Sequence, residues 1–176
     1  FLVGLSGGQG SGKSTLSKKL GESFAHQKVS YCILSLDDFY LSKDKRAELA
    51  SRVHPLATTR GVPGTHDVQL LKKVLTKLGE KDPRTKIVVP TFSKINDDLL
   101  PKENWRIFEP RPRVILIEGW CVGAKSSFLT SYPETPWEKE HDSKGLWKSW
   151  TREESIKYEV IWKNLDFLIL IKQDNF

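Results

Sequence analysis

Phe1-Leu2-Val3-Gly4-Leu5-Ser6-Gly7-Gly8-Gln9-Gly10-Ser11-Gly12-Lys13-Ser14-Thr15 opens the chain with an apolar run, a glycine-rich turn and the start of a polar-apolar periodic segment. The run Phe1–Leu5 predicts a short buried strand, and the periodic segment predicts a helix from Lys13 to about His26 with Leu16, Leu20 and Phe24 inward. Gly7 to Ser14 satisfies G-x-x-x-x-G-K-[ST] between those two elements, where a phosphate-binding loop has to sit. Glycines there allow positive φ and let several N–H groups converge on one anion, aided by the positive end of the helix dipole. Gly7, Gly8, Gln9, Gly10, Ser11, Gly12, Lys13, Ser14 and Thr15 are therefore the expected ATP-binding residues. Lys13 is expected to reach the β- and γ-phosphates, and the Ser14 hydroxyl to ligate Mg²⁺.

Working outward, Val29–Leu36 predicts a second strand and Ile87-Val88-Val89 and Val114–Ile117 two central ones, because strands buried on both faces read as continuous apolar runs. Val68, Leu71, Val74, Leu75 and Leu78 recur at helical spacing behind Asp67, a suitable N-cap. Thr151-Arg152-Glu153-Glu154 has the spacing of a capping box, predicting a helix with Ile156, Val160 and Ile161 inward and then a strand at Phe167–Ile171. Residues 41–66 read as polar and irregular, residues 90–112 as loop-rich, and residues 126–150 as an insertion or lid. Strands alternating with helices imply an α/β fold, a doubly wound parallel sheet with flanking helices, whose ligand lies at the carboxyl ends of the strands.

Composition narrows the classes further. The 176 residues suit a single domain, and 38% apolar with 28% charged residues excludes a collagenous or largely disordered chain. No apolar run approaches the roughly 18 residues of a membrane span, so a soluble protein with no membrane partner is expected. Two cysteines without CxxC or Cys/His spacing fit reduced thiols and a cytoplasmic location. The net charge of +6 is scattered among 22 acids rather than gathered in a basic tract, so no nucleic-acid partner is expected, and Trp137, Trp147 and Trp150 are assigned to packing. The chain lacks methionine altogether and begins at Phe1, from which a single domain over 1–176, truncated or incompletely represented at its ends, is expected.

A phosphate loop alone does not separate kinases, GTPases and mechanical ATPases. The nearest approach to a guanine-reading Asn-Lys-x-Asp is Lys163-Asn164-Leu165-Asp166, with the first two residues inverted, which disfavours a GTPase. Leu36-Asp37-Asp38-Phe39-Tyr40 brings two carboxylates to the end of the second strand, where one could accept a hydroxyl proton during attack on a γ-phosphoryl group. Equally, either Asp could simply shape the turn. Glu118, ending the strand Val114–Ile117, stands where a carboxylate would hold Mg²⁺.

Four ordered strings, Gly10-Ser11-Gly12-Lys13-Ser14, Asp37-Asp38-Phe39-Tyr40, Arg60-Gly61-Val62-Pro63-Gly64-Thr65-His66-Asp67 and Glu118-Gly119-Trp120-Cys121-Val122-Gly123, give the chain a specific likeness. It resembles the phosphoribulokinase/uridine kinase group of P-loop kinases, and within it the D-glycerate 3-kinase-like proteins of fungi and plants. The resemblance runs through most of residues 1–125 and fades afterwards. It implies that Asp37 is the base activating the acceptor hydroxyl, that Asp38 assists or binds metal, and that Glu118 serves metal and substrate. Asp38, Tyr40, Arg60, Thr65, His66, Asp67 and Lys94 become candidates for contacting a small hydroxyl-bearing acceptor, glycerate first; a carboxylate acceptor would favour a guanidinium. Asp67 can equally be only a helix cap, and His66 only a solvated loop residue. Where relatives carry Tyr-Asp-Lys-Ser and then Gly-Asp-Arg, this chain has Phe92-Ser93-Lys94-Ile95 and Asn96-Asp97-Asp98. Those departures leave open a second reading, a nucleotide-binding regulatory protein of the same fold with little or no transfer.

Overall fold

A computed structural model describes residues 1–80, 86–109 and 111–172. Strands β1 (Leu2–Gly7), β2 (Tyr31–Ser35), β7 (Val114–Gly119) and β8 (Phe167–Ile171) form a parallel sheet in the order β2-β7-β1-β8. The in-register partners Leu34↔Ile117, Ile117↔Gly4 and Gly4↔Leu168 run straight across it. Parallel neighbours need crossovers, and these are helical: α1 (Lys13–His26), α2 (Lys43–Arg52), α3 (Val68–Gly79), α4 (Pro136–His141) and α5 (Leu146–Trp162).

The apolar stripe of α3 is real: Val68, Leu71, Val74 and Leu78 are buried, and each contributes on the order of 2 kcal/mol by leaving water. They share one core with Cys32, Leu34, Ile117, Tyr158, Ile161 and Trp162. The Asp67 carboxylate caps α3 by accepting from the Leu70 N–H at 2.9 Å, as its place in the sequence predicts. In α1 the expected stripe of Leu16, Leu20 and Phe24 is only half-buried; Ser17 and Gly21 make the closest approach to the sheet, because small side chains let the helix settle onto Tyr31 and Ile33. Both cysteines are free and buried, and burial pushes each thiol up to about 12.

The structure corrects four expectations. β3 (Ile87–Val89) is no central strand: it pairs antiparallel with β6 (Arg106–Phe108) in a separate two-stranded sheet, burying Ile87 and Val89 while Val88 faces out. A run of three apolar residues is too short to separate burial on one face from burial on both. α2 occupies part of the stretch read as irregular; its one buried residue is Arg46, so it shows no apolar stripe to find. The capping box stands at Thr135 and Glu138, opening α4, whereas Thr151 lies inside α5. Helix α5 starts earlier, where the Asp142 carboxylate accepts from the Trp147 and Lys148 N–H groups at 3.1 and 3.0 Å. Its inner face is Thr151, Ser155, Tyr158 and Trp162 with Ile161, while Ile156 and Val160 are exposed.

Between β3 and β6 the short strands β4 (Phe92–Ser93) and β5 (Asp98–Leu99) form a hairpin with Ser93↔Asp98 paired. Among the described residues no helix is long and apolar enough to cross a membrane.

Candidate active site

At the exit of β1, the chain turns through Gly10 (φ 77°) and Gly12 (φ 86°) before α1 begins. These left-handed angles disfavour any side chain, and a Cβ at either position would point into open space. Gly12 is the N-cap of α1, without a side-chain cap and with no acid in the first helical turn, so the leading N–H groups and the dipole meet no competing anion there. Lys13 Nζ donates to the carbonyls of Gly7 and Gly8 at 2.9 and 2.7 Å, arching over the loop. Ser11 Oγ is buried without a partner, while Gln9, Ser14 and Thr15 are exposed at the mouth of the loop.

The acids lie along the same rim. Glu118 is paired in register with Leu5 on one side and Ser35 on the other, and it is 8% exposed. Directly after Ser35, a 3-10 turn over Leu36–Phe39 carries Asp37 and Asp38, with Leu36 and Phe39 buried as its anchors. Loop and acid pair thus follow β1 and β2, which flank β7, so the strand ends they leave lie about 10 Å apart along the carboxyl edge.

Adjacent in sequence, the two aspartates do different work. Asp37 Oδ2 receives Lys94 Nζ at 2.7 Å. Asp38 is drawn inward: Oδ2 meets Arg106 Nη2 at 2.7 Å and Oδ1 accepts from the Phe92 N–H at 3.2 Å. Burial raises the proton affinity of Asp38 most strongly, opposed by Arg106 and the Phe92 N–H, with Asp37 adding to the rise and Lys94 opposing it. Asp38 therefore ties the β3–β6 and β4–β5 hairpins to the rim.

Segment 60–67 is laced onto this rim by the backbone, through Leu41 N–H to Thr65 O at 2.9 Å and Asp67 N–H to Phe39 O at 2.7 Å. His66 is buried rather than solvated, stacked on Tyr40 with ring centroids 4.2 Å apart. Its Nδ1 lies 2.9 Å from the Tyr158 hydroxyl, which also accepts from the Gly64 N–H at 2.9 Å, and its Nε2 has no partner. Burial drives the His66 imidazole down to about 3, with Asp37 pulling the other way. Burial, then the Asp37 carboxylate, pushes the Tyr40 hydroxyl up.

Asp37, Tyr40, His66 and Lys94 are thus brought together, and Arg60 lies over the Phe92 ring that packs on Tyr40. Thr65 is spent inside its own turn, its hydroxyl donating to Val62 O and accepting from Gly61 N–H, and Asp67 is occupied as the cap of α3. Of the tryptophans, Trp150 lies against Gly64, Trp147 is partly buried, and Trp137 stacks on His141. Arg46, Asp97, Arg106 and Tyr158 belong to the site without any motif of their own, and Trp120, from the string that begins at Glu118, donates its Nε1–H to Gly61 O at 2.8 Å. Among the described residues no three His, Cys, Asp or Glu side chains converge as a metal cage. A hydroxyl at Ser14 and a carboxylate at Glu118 nonetheless suit Mg²⁺, which takes few protein ligands and completes its shell with water and phosphate oxygen.

A parallel sheet with a glycine-rich loop at β1 and acids on the neighbouring strand ends defines a P-loop kinase fold. The chain belongs to the phosphoribulokinase/uridine kinase family, whose model matches residues 2–129. It is 32% identical over 180 residues to an uncharacterized kinase of Schizosaccharomyces pombe, covering 96% of this chain and 63% of that protein. Over 132 residues it is 34% identical to the chloroplastic D-glycerate 3-kinase of Arabidopsis thaliana, covering 71% and 29%. D-glycerate 3-kinase from Cryptococcus neoformans var. grubii shares the fold at a TM-score of 0.67 and 24% identity, covering 97% and 62%. The chain therefore spans less than two thirds of each of these proteins.

Proposed function

We propose that this chain carries the catalytic machinery of an ATP- and Mg²⁺-dependent kinase that phosphorylates a hydroxyl group of a small metabolite, with D-glycerate the first candidate acceptor. The observation that carries this reading is the shared rim: the phosphate loop leaves β1 and Asp37 follows β2, on either side of Glu118 in β7.

In the reaction, the acceptor oxygen attacks the γ-phosphorus in line while the bond to the β,γ-bridging oxygen breaks, releasing ADP. Asp37 takes the hydroxyl proton as that oxygen becomes bonded to phosphorus. Lys94 holds the Asp37 carboxylate through Oδ2, fixing its orientation for that proton transfer. The loop N–H groups and Lys13, exchanging the Gly7 and Gly8 carbonyls for phosphate oxygens, stabilise the charge gathering on the transferred group. Ser14 and Glu118 would hold Mg²⁺, which when bound neutralises the β- and γ-phosphates. Arg60 offers the acceptor a guanidinium beside Tyr40.

The test is Asp37→Asn. Transfer should slow by roughly 10²–10⁴ while ATP affinity stays close to wild type, since the base changes and the cradle does not. Near-normal turnover in the variant removes Asp37 from the mechanism. ATP binding by the wild type with no transfer to glycerate, pantothenate, uridine, ribulose 5-phosphate or nicotinamide riboside overturns the kinase reading.

A further inference from the structure

Arg46 has no exposed surface, yet it carries a full charge. Its Nε donates to Thr58 O at 3.1 Å, Nη1 to Leu41 O at 2.7 Å, and Nη2 both to Asp97 O at 2.9 Å and to Asp97 Oδ2 at 2.6 Å. A buried guanidinium with a single carboxylate partner holds that partner firmly, because separating them would strand an unpaired charge away from water. Asp97 is thereby anchored through one oxygen. Its other oxygen, Oδ1, takes Nη1 of Arg60, whose side chain is 30% exposed. The two guanidinium carbons lie 5.6 and 5.5 Å from the centroid of the Phe92 ring, so both guanidinium groups rest against that ring.

Charge bookkeeping gives the cluster its chemistry. Two guanidinium groups share one carboxylate, and among the described residues Arg60 has no other acidic partner, so one positive charge is left uncompensated at its exposed end. That end lies over the Phe92 ring, which packs edge-on against Tyr40 with centroids 5.3 Å apart, and Tyr40 closes the turn that carries the proposed base Asp37. Lys94, on the same β4–β5 hairpin as Asp97, touches Asp37, and both Asp37 and Arg60 act on the Tyr40 hydroxyl. Arg60 retains N–H groups beyond the one given to Asp97, enough to grip a second carboxylate.

We infer that Asp97, anchored by the buried Arg46, is a positioning residue that presents Arg60 to the carboxylate of an anionic acceptor whose hydroxyl lies at Asp37. This rests on the kinase reading above and narrows it to hydroxy acids. Asp97 does not leave when the acceptor binds, since its bond to Arg46 has no substitute; it orients Arg60 from behind. Its backbone is left-handed, at φ 54°, a conformation that Asp and Asn tolerate better than other side chains.

Titration calorimetry of D-glycerate into the full-length protein decides the matter, with ATP binding measured alongside. Asp97→Asn should weaken D-glycerate binding about tenfold, leave ATP affinity unchanged, and add nothing further in an Arg60→Gln background. A purely structural residue would instead weaken ATP binding as well, and its loss would add to that of Arg60→Gln. If the loss of charge next to Arg46 prevents folding, Asp97→Glu keeps that charge while shifting it off Arg60, and it must show the same selective loss. Wild-type glycerate affinity in either variant, or no glycerate binding by the wild type, overturns the inference. Binding through Arg60 and Asp97 without phosphoryl transfer would sink the kinase reading and leave this one standing; transfer to uncharged acceptors alone would do the reverse.

Discussion

Lys94 Nζ lies 2.7 Å from Oδ2 of Asp37, joining a hairpin between β3 and β6 to an acid in the turn that follows β2. Lys94 is 64% exposed on its side chain, so the pair contributes little to stability, within about 1 kcal/mol. Its effect is orientation. Lys94→Met is expected to lower kcat about tenfold, with the thermal midpoint and ATP affinity nearly unchanged, measured by steady-state kinetics and thermal unfolding. An unaltered kcat would show that Asp37 needs no such partner.

Gly12→Ala separates folding from nucleotide binding. The added methyl meets nothing within 4 Å, so the cost to stability is the left-handed backbone alone, about 1–2 kcal/mol. The same methyl stands at the mouth of the N–H cradle, and ATP affinity should fall at least about tenfold. Equilibrium unfolding and a nucleotide titration read the two effects independently; equal ATP affinity in the variant contradicts the cradle.

Gly64→Ala should be the more damaging change. At φ 100° a Cβ would lie 2.4 Å from Trp150 Cζ2 and 2.9 Å from Glu154 Cγ, so backbone strain and overpacking add. A loss of about 2–4 kcal/mol is expected, a fall in thermal midpoint of roughly 5–15 °C. A midpoint within a degree or so of wild type would mean that the loop does not pack on α5 in solution.

Stability should also decline in mild acid because of His66. The folded imidazole resists protonation down to about 3, whereas in the unfolded chain it protonates near its ordinary 6.5. Between those values the unfolded state holds the extra proton, so lowering the pH favours unfolding. The contribution is complete above 6.5 and is lost towards 3, at up to about 1.4 kcal/mol per pH unit. Urea unfolding of wild type and His66→Asn at about pH 7 and about pH 5.5 isolates it: the gap between the two proteins should narrow on acidification by about 1.4 kcal/mol. A constant gap assigns the acid sensitivity to other groups.

Much of this architecture is legible residue by residue. Gly7 to Ser14 announces its loop because phosphate binding demands glycines, a lysine and a hydroxyl at set places along one short segment. The stripe of α3 and the run Val114–Ile117 are equally local signals. Ile87-Val88-Val89 misleads because sheet partnership belongs to two segments at once, and its partner Arg106–Phe108 carries no strand signal. α2 is silent because its single inward residue is charged, and that residue, Arg46, has meaning only through Leu41, Thr58 and Asp97.

The chain's own order of residues therefore determined the phosphate loop, the sheet's carboxyl rim and the acids along it, since each follows from spacing within a few residues. Only tertiary structure decided that Asp37 faces Lys94 while Asp38 turns to Arg106, that His66 is buried between Tyr40 and Tyr158, and that Asp97 stands between Arg46 and Arg60. Desolvation and charge pairing act through space, between groups up to 92 positions apart in the case of His66 and Tyr158, and no window on the sequence contains both partners.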